Sequence, residues 1–418
     1  MENYTRRWAA GLLQKVLSFQ RTAVIVGARQ SGKTTMVRNE MPVESIYVTL
    51  DDEDQFNDAK NDVRFFLRQA QDKCFVIDEI QKVPRLISEI KMRVDEDNRT
   101  AQFVMTGSAD YRKLPQTTDS LAGRTVFIRL RSMTEAEARK KQPLFLRNAF
   151  NREFPTSSQL DECSKEQLFT LAITGGFPQA RELSKEARFL YFDSYAKAQI
   201  SHDLAENWNL TRFGALDTLL QYTAAYSSKL ENILDISKKL SASRVTVSDY
   251  LKALEAMFLV DRLPAWLHKD YGIGSKKPKL FMTDTGLMAH LLHIDNAEKL
   301  LKNRELMADV GGKLAETWVY NQLAAEIDAN PGWKISHLRH NNKQEIDFMV
   351  EDTDGRLMGI EVKSAETLNQ DDARNLRWFQ QKSRHPFTGI IIYAGNNLKS
   401  FGNGIYGVPY SAFWNTPS

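Results

Sequence analysis

The run Gly27-Ala-Arg-Gln-Ser-Gly-Lys33-Thr34 constrains this chain more than any other stretch. It reads G-x-x-x-x-G-K-T. The apolar segment Thr22–Val26 precedes it and reads as a buried strand, and Thr35-Met-Val-Arg38 opens a helix. A strand, a glycine-rich turn and a helix in that order make a loop whose backbone N–H groups close around phosphate oxygens at a helix N-terminus. The cradle comprises Gly27, Ala28, Arg29, Gln30, Ser31, Gly32, Lys33, Thr34 and Thr35. Lys33 is placed to reach the β- and γ-phosphates, and the Thr34 hydroxyl to ligate Mg²⁺. The expected ligand is ATP with Mg²⁺.

A second element follows. Lys73-Cys-Phe-Val-Ile-Asp78-Glu79 is an apolar strand ending in two carboxylates, the Walker B arrangement. Asp78 is expected to hold Mg²⁺ through water and Glu79 to act as general base on the attacking water. A third buried strand, Ala101–Thr106, ends in hydroxyls; Thr106 or Ser108 can sense the γ-phosphate, or the segment is a simple turn. Gly123 and Arg124 precede a further strand. Arg124 acts in trans on a neighbour's γ-phosphate, which implies a homo-oligomer, or it is a plain surface arginine.

Composition sets bounds. At 418 residues the chain holds two to four domains. A net charge of +3 says little about an anionic partner, so that case rests on local patches. Cys74 and Cys163 fit neither a zinc site nor a disulfide framework, and Cys74 reads as core. No apolar stretch approaches membrane-spanning length and the N-terminus lacks a signal-peptide core. A cytoplasmic protein with no membrane partner is the expectation.

Together these residues resemble the bacterial and archaeal AAA-family ATPases that carry a C-terminal domain of unknown function. The matching stretches include Gly27–Thr35, Phe75–Glu79, Thr106-Gly-Ser108, Ser120–Arg124 and Met133-Thr-Glu-Ala-Glu137. Gly175-Gly-Phe-Pro178, Lys276–Leu287, Glu316–Tyr320, Glu345–Phe348 and Glu361-Val-Lys363 complete the set. The resemblance implies an α/β protein. A P-loop core of the ASCE type is expected over 1–150, a helical middle region over 151–305 and the family's C-terminal module over 306–418.

Within the middle region, 214–285 reads as a winged helix. Asp235–Leu240 is its first helix, Ser243 an N-cap, and Arg244–Phe258 a second helix with Val247, Leu251, Leu254 and Met257 on one face. Leu259–Leu263 and Lys279–Met282 make a hairpin across a basic loop with Lys269, Lys276, Lys277 and Lys279, around Tyr271 and Gly272. Such a wing can track DNA phosphates. The plainer alternative is a helix pair used for packing. His202 and Asp203 read as a solvated helix face.

The C-terminal order αβββαβ resembles the PD-(D/E)xK nuclease core. Alternation puts Glu361 and Lys363 on one face, and a three-residue loop at Thr353–Gly355 sets Asp347 opposite Glu361. With Glu316 from the preceding helix, these carboxylates are candidate Mg²⁺ ligands, and Lys363 a candidate to orient the water. His337, His340 and Asn341 lie nearby. An E-x-K triplet alone carries nothing, since Glu89-Ile-Lys91 matches it too.

The sequence therefore points to an Mg-dependent ATPase acting on DNA, with a C-terminal module that either cleaves DNA with a metal ion or only grips it. The alternative is an ATP-controlled switch that binds a partner protein or promoter DNA and cuts nothing. A small-molecule kinase fits less well, because adjacent carboxylates suit water activation.

Overall fold

Five short strands carry the nucleotide-binding half. They are β1 (Thr22–Val26), β2 (Ile46–Thr49), β3 (Phe75–Asp78), β4 (Phe103–Gly107) and β5 (Thr125–Arg129). In the computed structural model, which describes residues 4–42, 44–110, 123–198, 213–267, 277–340 and 344–415, every residue of β1, β3 and β4 is buried. Continuous apolar runs of this kind are what a parallel sheet covered on both faces requires. The order is β2-β3-β4-β1-β5, all parallel. β4 thus lies between the strand before the P-loop and the strand that ends in Asp78, the inserted-strand arrangement expected from the sequence. Helices Lys33–Glu40 and Arg85–Glu96 flank the sheet. Helix Trp8–Leu17, which no motif announces, packs against β1 and β5 through Ala10, Leu13 and Val16.

The middle region is helical. Helix Lys165–Thr174 ends at Gly175, whose φ of 74° suits only glycine; a Cβ there would lie 2.5 Å from Asp284 Oδ1. Asp284 accepts from Gly176 N at 2.7 Å and caps helix Thr285–Leu291 through Leu287 N at 3.0 Å. The Gly-Gly-Phe-Pro and Asp-Thr-Gly motifs, more than a hundred residues apart, are two halves of one buried joint.

Helices Ile233–Lys239 and Arg244–Ala256 form a helix–turn–helix, with Ser243 Oγ accepting from Thr246 N at 3.0 Å as the N-cap. An antiparallel pair, β6 (Val260–Leu263) and β7 (Lys279–Met282), follows. The loop residues Lys269, Tyr271, Gly272 and Lys276, like His202, Asp203, Asn341 and the stretch Ser120–Ala122, fall outside the described residues.

The C-terminal sheet contains β8 (Lys334–His340), β9 (Gln344–Glu351), β10 (Leu357–Lys363), β11 (Phe387–Tyr393), β12 (Lys399–Gly402) and β13 (Ile405–Pro409). Its order is β12-β13-β11-β10-β9-β8. Helix Gly312–Ala329 precedes it and Arg374–Lys382 lies between β10 and β11, as the sequence suggests; β12 and β13 extend the sheet beyond that core. Asp352 N bonds Arg356 O at 3.3 Å, which closes the three-residue loop between β9 and β10. One hydrophobic core runs from Val24 in the first sheet to Trp414 near the C-terminus. Among the described residues, no helix is long and apolar enough to cross a membrane.

Candidate nucleotide site and a buried lysine–carboxylate cluster

The P-loop leaves the carboxyl end of β1 and enters helix Lys33–Glu40 through Gly32, whose φ is 95°. Gly27 is hemmed by the exit of β5: a Cβ there would come within 2.2 Å of Leu130 O. Arg7, missed in the sequence, is almost wholly buried and braces this loop. It donates to Ser31 O at 2.8 Å and to Arg131 O at 2.8 Å, and pairs with Glu137 at 3.1 Å. Lys33 is buried and curls back on its own loop, donating to Gly27 O at 3.0 Å and Ala28 O at 2.9 Å. Arg29 O accepts from Tyr195 OH at 3.4 Å, Gln30 is exposed, and Thr35 sits on the outer helix face. Ser31 Oγ is buried and has no hydrogen-bond partner. An orphaned hydroxyl at a helix N-terminus is what an incoming phosphate oxygen would satisfy.

Asp78 collects three hydroxyls. Thr34 donates to it at 2.7 Å, Tyr47 at 2.5 Å, and Thr106 by a short bond to its other oxygen. Burial and the neighbouring carboxylate hold the Tyr47 phenol well above its ordinary value. Nothing in the sequence singled out Tyr47, because β2 is a short half-buried strand without a motif. Glu79 lies just past the strand end in a left-handed conformation, with φ 58°. Its carboxylate accepts from Ser108 Oγ at 3.0 Å and from Gln81 Nε2 by a short bond. Thr106 and Ser108 therefore face Asp78 and Glu79 respectively, rather than forming a turn without partners.

Arg124 lies elsewhere. It precedes β5 beside Thr22, whose hydroxyl donates to Arg124 O at 2.9 Å, at the sheet end opposite the P-loop. With about 3.3 Å per strand residue, roughly 15 Å separates it from its own phosphate cradle. Its side chain pairs with Asp95 at 2.5 Å. Cys74 behaves as core; burial pushes its thiol up to about 11.

The second cluster lies in the C-terminal half. The β9–β10 register pairs Phe348 with Ile360, and one step further sets Asp347 opposite Glu361. Asp347 accepts from Val362 N at 2.9 Å, Glu361 from Asn375 Nδ2 at 3.2 Å, and Lys363 Nζ stands 4.0 Å from Glu361. Glu316 comes from helix Gly312–Ala329. Burial, with Asp347 beside it, pushes its carboxyl up to about 7, and burial raises Glu361 as well.

Into this cluster projects Lys279 of β7, only 2 % exposed. Its Nζ lies 3.0 Å from Glu316, 2.8 Å from Glu345 and 3.5 Å from Asp347. Lys279 therefore does not belong to a phosphate-tracking wing, as its neighbours in sequence suggested. His337 is buried alongside, with Nε2 donating to Lys277 O at 2.9 Å; burial and Lys279 hold its imidazole down to about 4. His340 stacks on Trp378. Among the described residues, no group of three His, Cys, Asp or Glu side chains is arranged to hold a metal ion. Glu316 and Asp347, expected with Glu361 to ligate Mg²⁺, flank an ammonium. Sequence alone put Lys279 in a run of lysines and gave no sign of its burial.

Comparison with known proteins fits the first site. A family described as "AAA domain" matches residues 20–138. This stretch is similar to AAA-type ATPase domains. Two domains of unknown function, DUF8612 and DUF4143, match residues 165–298 and 311–413. The chain is 26% identical to the uncharacterized protein Rv2008c of Mycobacterium tuberculosis, over 87% of this chain and 74% of that one. It is 23% identical to an uncharacterized protein of Haemophilus influenzae, over 79% of this chain and 90% of that one. Among solved structures, a Walker-type ATPase of Pyrococcus abyssi aligns over 70% of this chain and 99% of its own, with 14% identity and a TM-score of 0.41. AMPPCP-bound DnaA from Aquifex aeolicus aligns over 59% and 85%, with 14% identity and a TM-score of 0.28. The AAA domain supports ATP hydrolysis.

Proposed function

We propose that this chain is an Mg-ATP hydrolase whose nucleotide state positions a DNA-facing helix–turn–helix, and that it does not cut DNA. One hydrogen bond carries the reading. Asp110 N donates to Ala256 O at 2.7 Å, tying the chain just past β4 to the last residue of helix Arg244–Ala256. Two and four residues upstream, Ser108 and Thr106 hold Glu79 and Asp78. A change at the γ-phosphate thus has a short path, four residues of chain and one hydrogen bond, to the second helix of the helix–turn–helix.

Lys33 must leave the Gly27 and Ala28 carbonyls to meet the β- and γ-phosphates, and Ser31 and the P-loop N–H groups take the remaining oxygens. Thr34 and Asp78 would hold Mg²⁺, which when bound neutralises charge on the phosphoryl oxygens. Glu79 must leave Ser108 and Gln81 to take the water's proton. Ser108 then loses its acceptor and keeps Gln81 Nε2 at 2.9 Å, and Asp110 lies two residues on.

DNA is the partner this reading favours. Arg244, Lys252 and Lys277 line one cleft beside the exposed Val245 and Leu234; Glu231 and Asp249 share it, and Lys252 pairs with Asp249 at 3.0 Å. The test is duplex binding by fluorescence anisotropy across a salt series. The triple change Arg244→Ala, Lys252→Ala, Lys277→Ala should flatten the salt slope by about 3, roughly one for each phosphate that is no longer neutralised. ATP-loaded Glu79→Gln should differ in DNA affinity from Lys33→Ala. Equal affinities would sink the switch, and absence of any salt-dependent DNA binding would leave a protein as the partner.

A further inference from the structure

We infer that Lys279 is the resident cation of the C-terminal carboxylate cluster, and that the cluster accepts a divalent ion only when this lysine is taken away. The inference is independent of the ATP-driven switch. The argument is geometric. Lys279 Nζ has two carboxylate oxygens at 2.8 and 3.0 Å and a third at 3.5 Å: Glu345 and Asp347 come from two positions of β9, and Glu316 from the preceding helix. The two shorter separations are hydrogen-bond distances. Mg²⁺ draws its oxygens to about 2.0–2.1 Å in near-octahedral array, and the space between these carboxylates already holds the ammonium. A metal ion there would face the buried charge of Lys279 at close range.

Lys279 is also held from behind. β7 pairs with β6 through Val260↔Met282 to Leu263↔Lys279, and the chain leaving β6 is stitched to β8. Trp266 N donates to His337 O at 2.6 Å and His337 N to Pro264 O at 2.9 Å. Ser227 Oγ and Thr317 Oγ1 are 2.8 Å apart on the other side. The backbone that carries the lysine is therefore fixed on both sides. The cluster is a charge-compensated joint between the helix–turn–helix hairpin and the C-terminal sheet.

The test is Mn²⁺ titration of the nucleotide-free full chain, with free ion read by electron paramagnetic resonance. Wild type, Asp347→Asn, Lys279→Met and the double variant are compared. Wild type and Asp347→Asn should take up the ion alike. Lys279→Met should gain one site per chain, at least tenfold tighter than anything in wild type, and lose it again in the double variant. Uptake by wild type that Asp347→Asn removes overturns the inference, as does a folded Lys279→Met that gains no site. Lys279→Met leaves buried carboxylates uncompensated, so its melting is followed with and without Mn²⁺; stabilisation by the ion is the expected result. If that variant does not fold in either condition, the comparison of wild type with Asp347→Asn decides alone.

Discussion

Glu79 illustrates how one residue can be poised and idle at once. Its left-handed backbone turns the carboxylate onto Ser108 and Gln81. Glu79→Gln should keep ATP affinity and hydrolyse at least about tenfold more slowly, as the base is lost. Lys33→Ala should lose most triphosphate affinity, because the cation facing the phosphates is gone. Phosphate release and nucleotide binding, measured side by side, check both; equal turnover in wild type and Glu79→Gln would remove Glu79 as the base. A second residue sets a pH dependence. Glu326 is buried in helix Gly312–Ala329 and accepts from Leu146 N at 2.9 Å; burial pushes its carboxyl up to about 8. Its folded value exceeds its unfolded value of about 4.3, so its neutral form favours folding below that value and the benefit is lost as pH rises through about 8. Glu326→Gln should therefore melt above wild type at pH 9, by about 2–4 °C per kcal/mol recovered, and level with it at pH 4. Parallel melting curves at the two pH values check this.

Elements were legible wherever a local pattern had one cause. The P-loop strand and helix, the Ser243 cap and the β9–β10 loop each follow from short-range rules, and each stands where the residues placed it. The hairpin register could be counted because the loop length fixes it. What could not be read depended on partners distant in the chain. Lys279 looks like a wing lysine until helix Gly312–Ala329 and β9 close over it. Arg7 has no motif, and its partners Ser31, Arg131 and Glu137 lie 24 to 130 residues away. Strands β12 and β13 fell after the point at which the C-terminal pattern looked complete. The glycine joint is invisible to short-range rules, since its partner Asp284 is 108 residues from Gly176. At Gly175 a Cβ would meet Asp284 Oδ1 and the Gly286 backbone, at a φ that side chains rarely adopt. Gly175→Ala should cost at least about 2 kcal/mol through strain and overlap. Denaturant titration reads the loss, and an unchanged midpoint would mean the joint yields without cost.

At the scale of the whole molecule, the ATPase sheet and the C-terminal sheet share one core and one ionic network. Arg129 and Arg131, either side of the β5 exit, both grip Asp261 of β6, at 2.8 and 2.5 Å, and Arg131 also reaches Asp328 at 2.6 Å. Tyr320 OH completes the set at 2.7 Å from Asp261. Removing Asp261 would take the carboxylate from Arg129 and leave Arg131 with Asp328 alone. The remaining prediction concerns copies of the chain. Arg124 stands too far from its own cradle to serve it, so any catalytic part must be played on a neighbour. If it plays that part, mixing Arg124→Ala with Lys33→Ala chains should restore some hydrolysis, because certain interfaces then pair a sound cradle with a sound arginine. No recovery in a mixture shown to co-assemble assigns Arg124 to its ion pair with Asp95.

The burial of Lys279 also has a consequence for how the chain is made. Its carboxylate partners lie 37 to 68 residues further on, so the ribosome releases the lysine well before anything can neutralise it. During synthesis, β7 must wait with an uncovered ammonium and an unfinished hydrophobic face, while the ATPase sheet upstream can already close. A chain stopped at residue 305 would never end that wait: Lys279 would lack Glu316, Glu345 and Asp347, and Asp261 would lack Tyr320 while Arg131 would lack Asp328. Such a fragment should fold its nucleotide-binding half and leave the hairpin open to protease, giving cuts within β6 and β7 that the full-length chain resists.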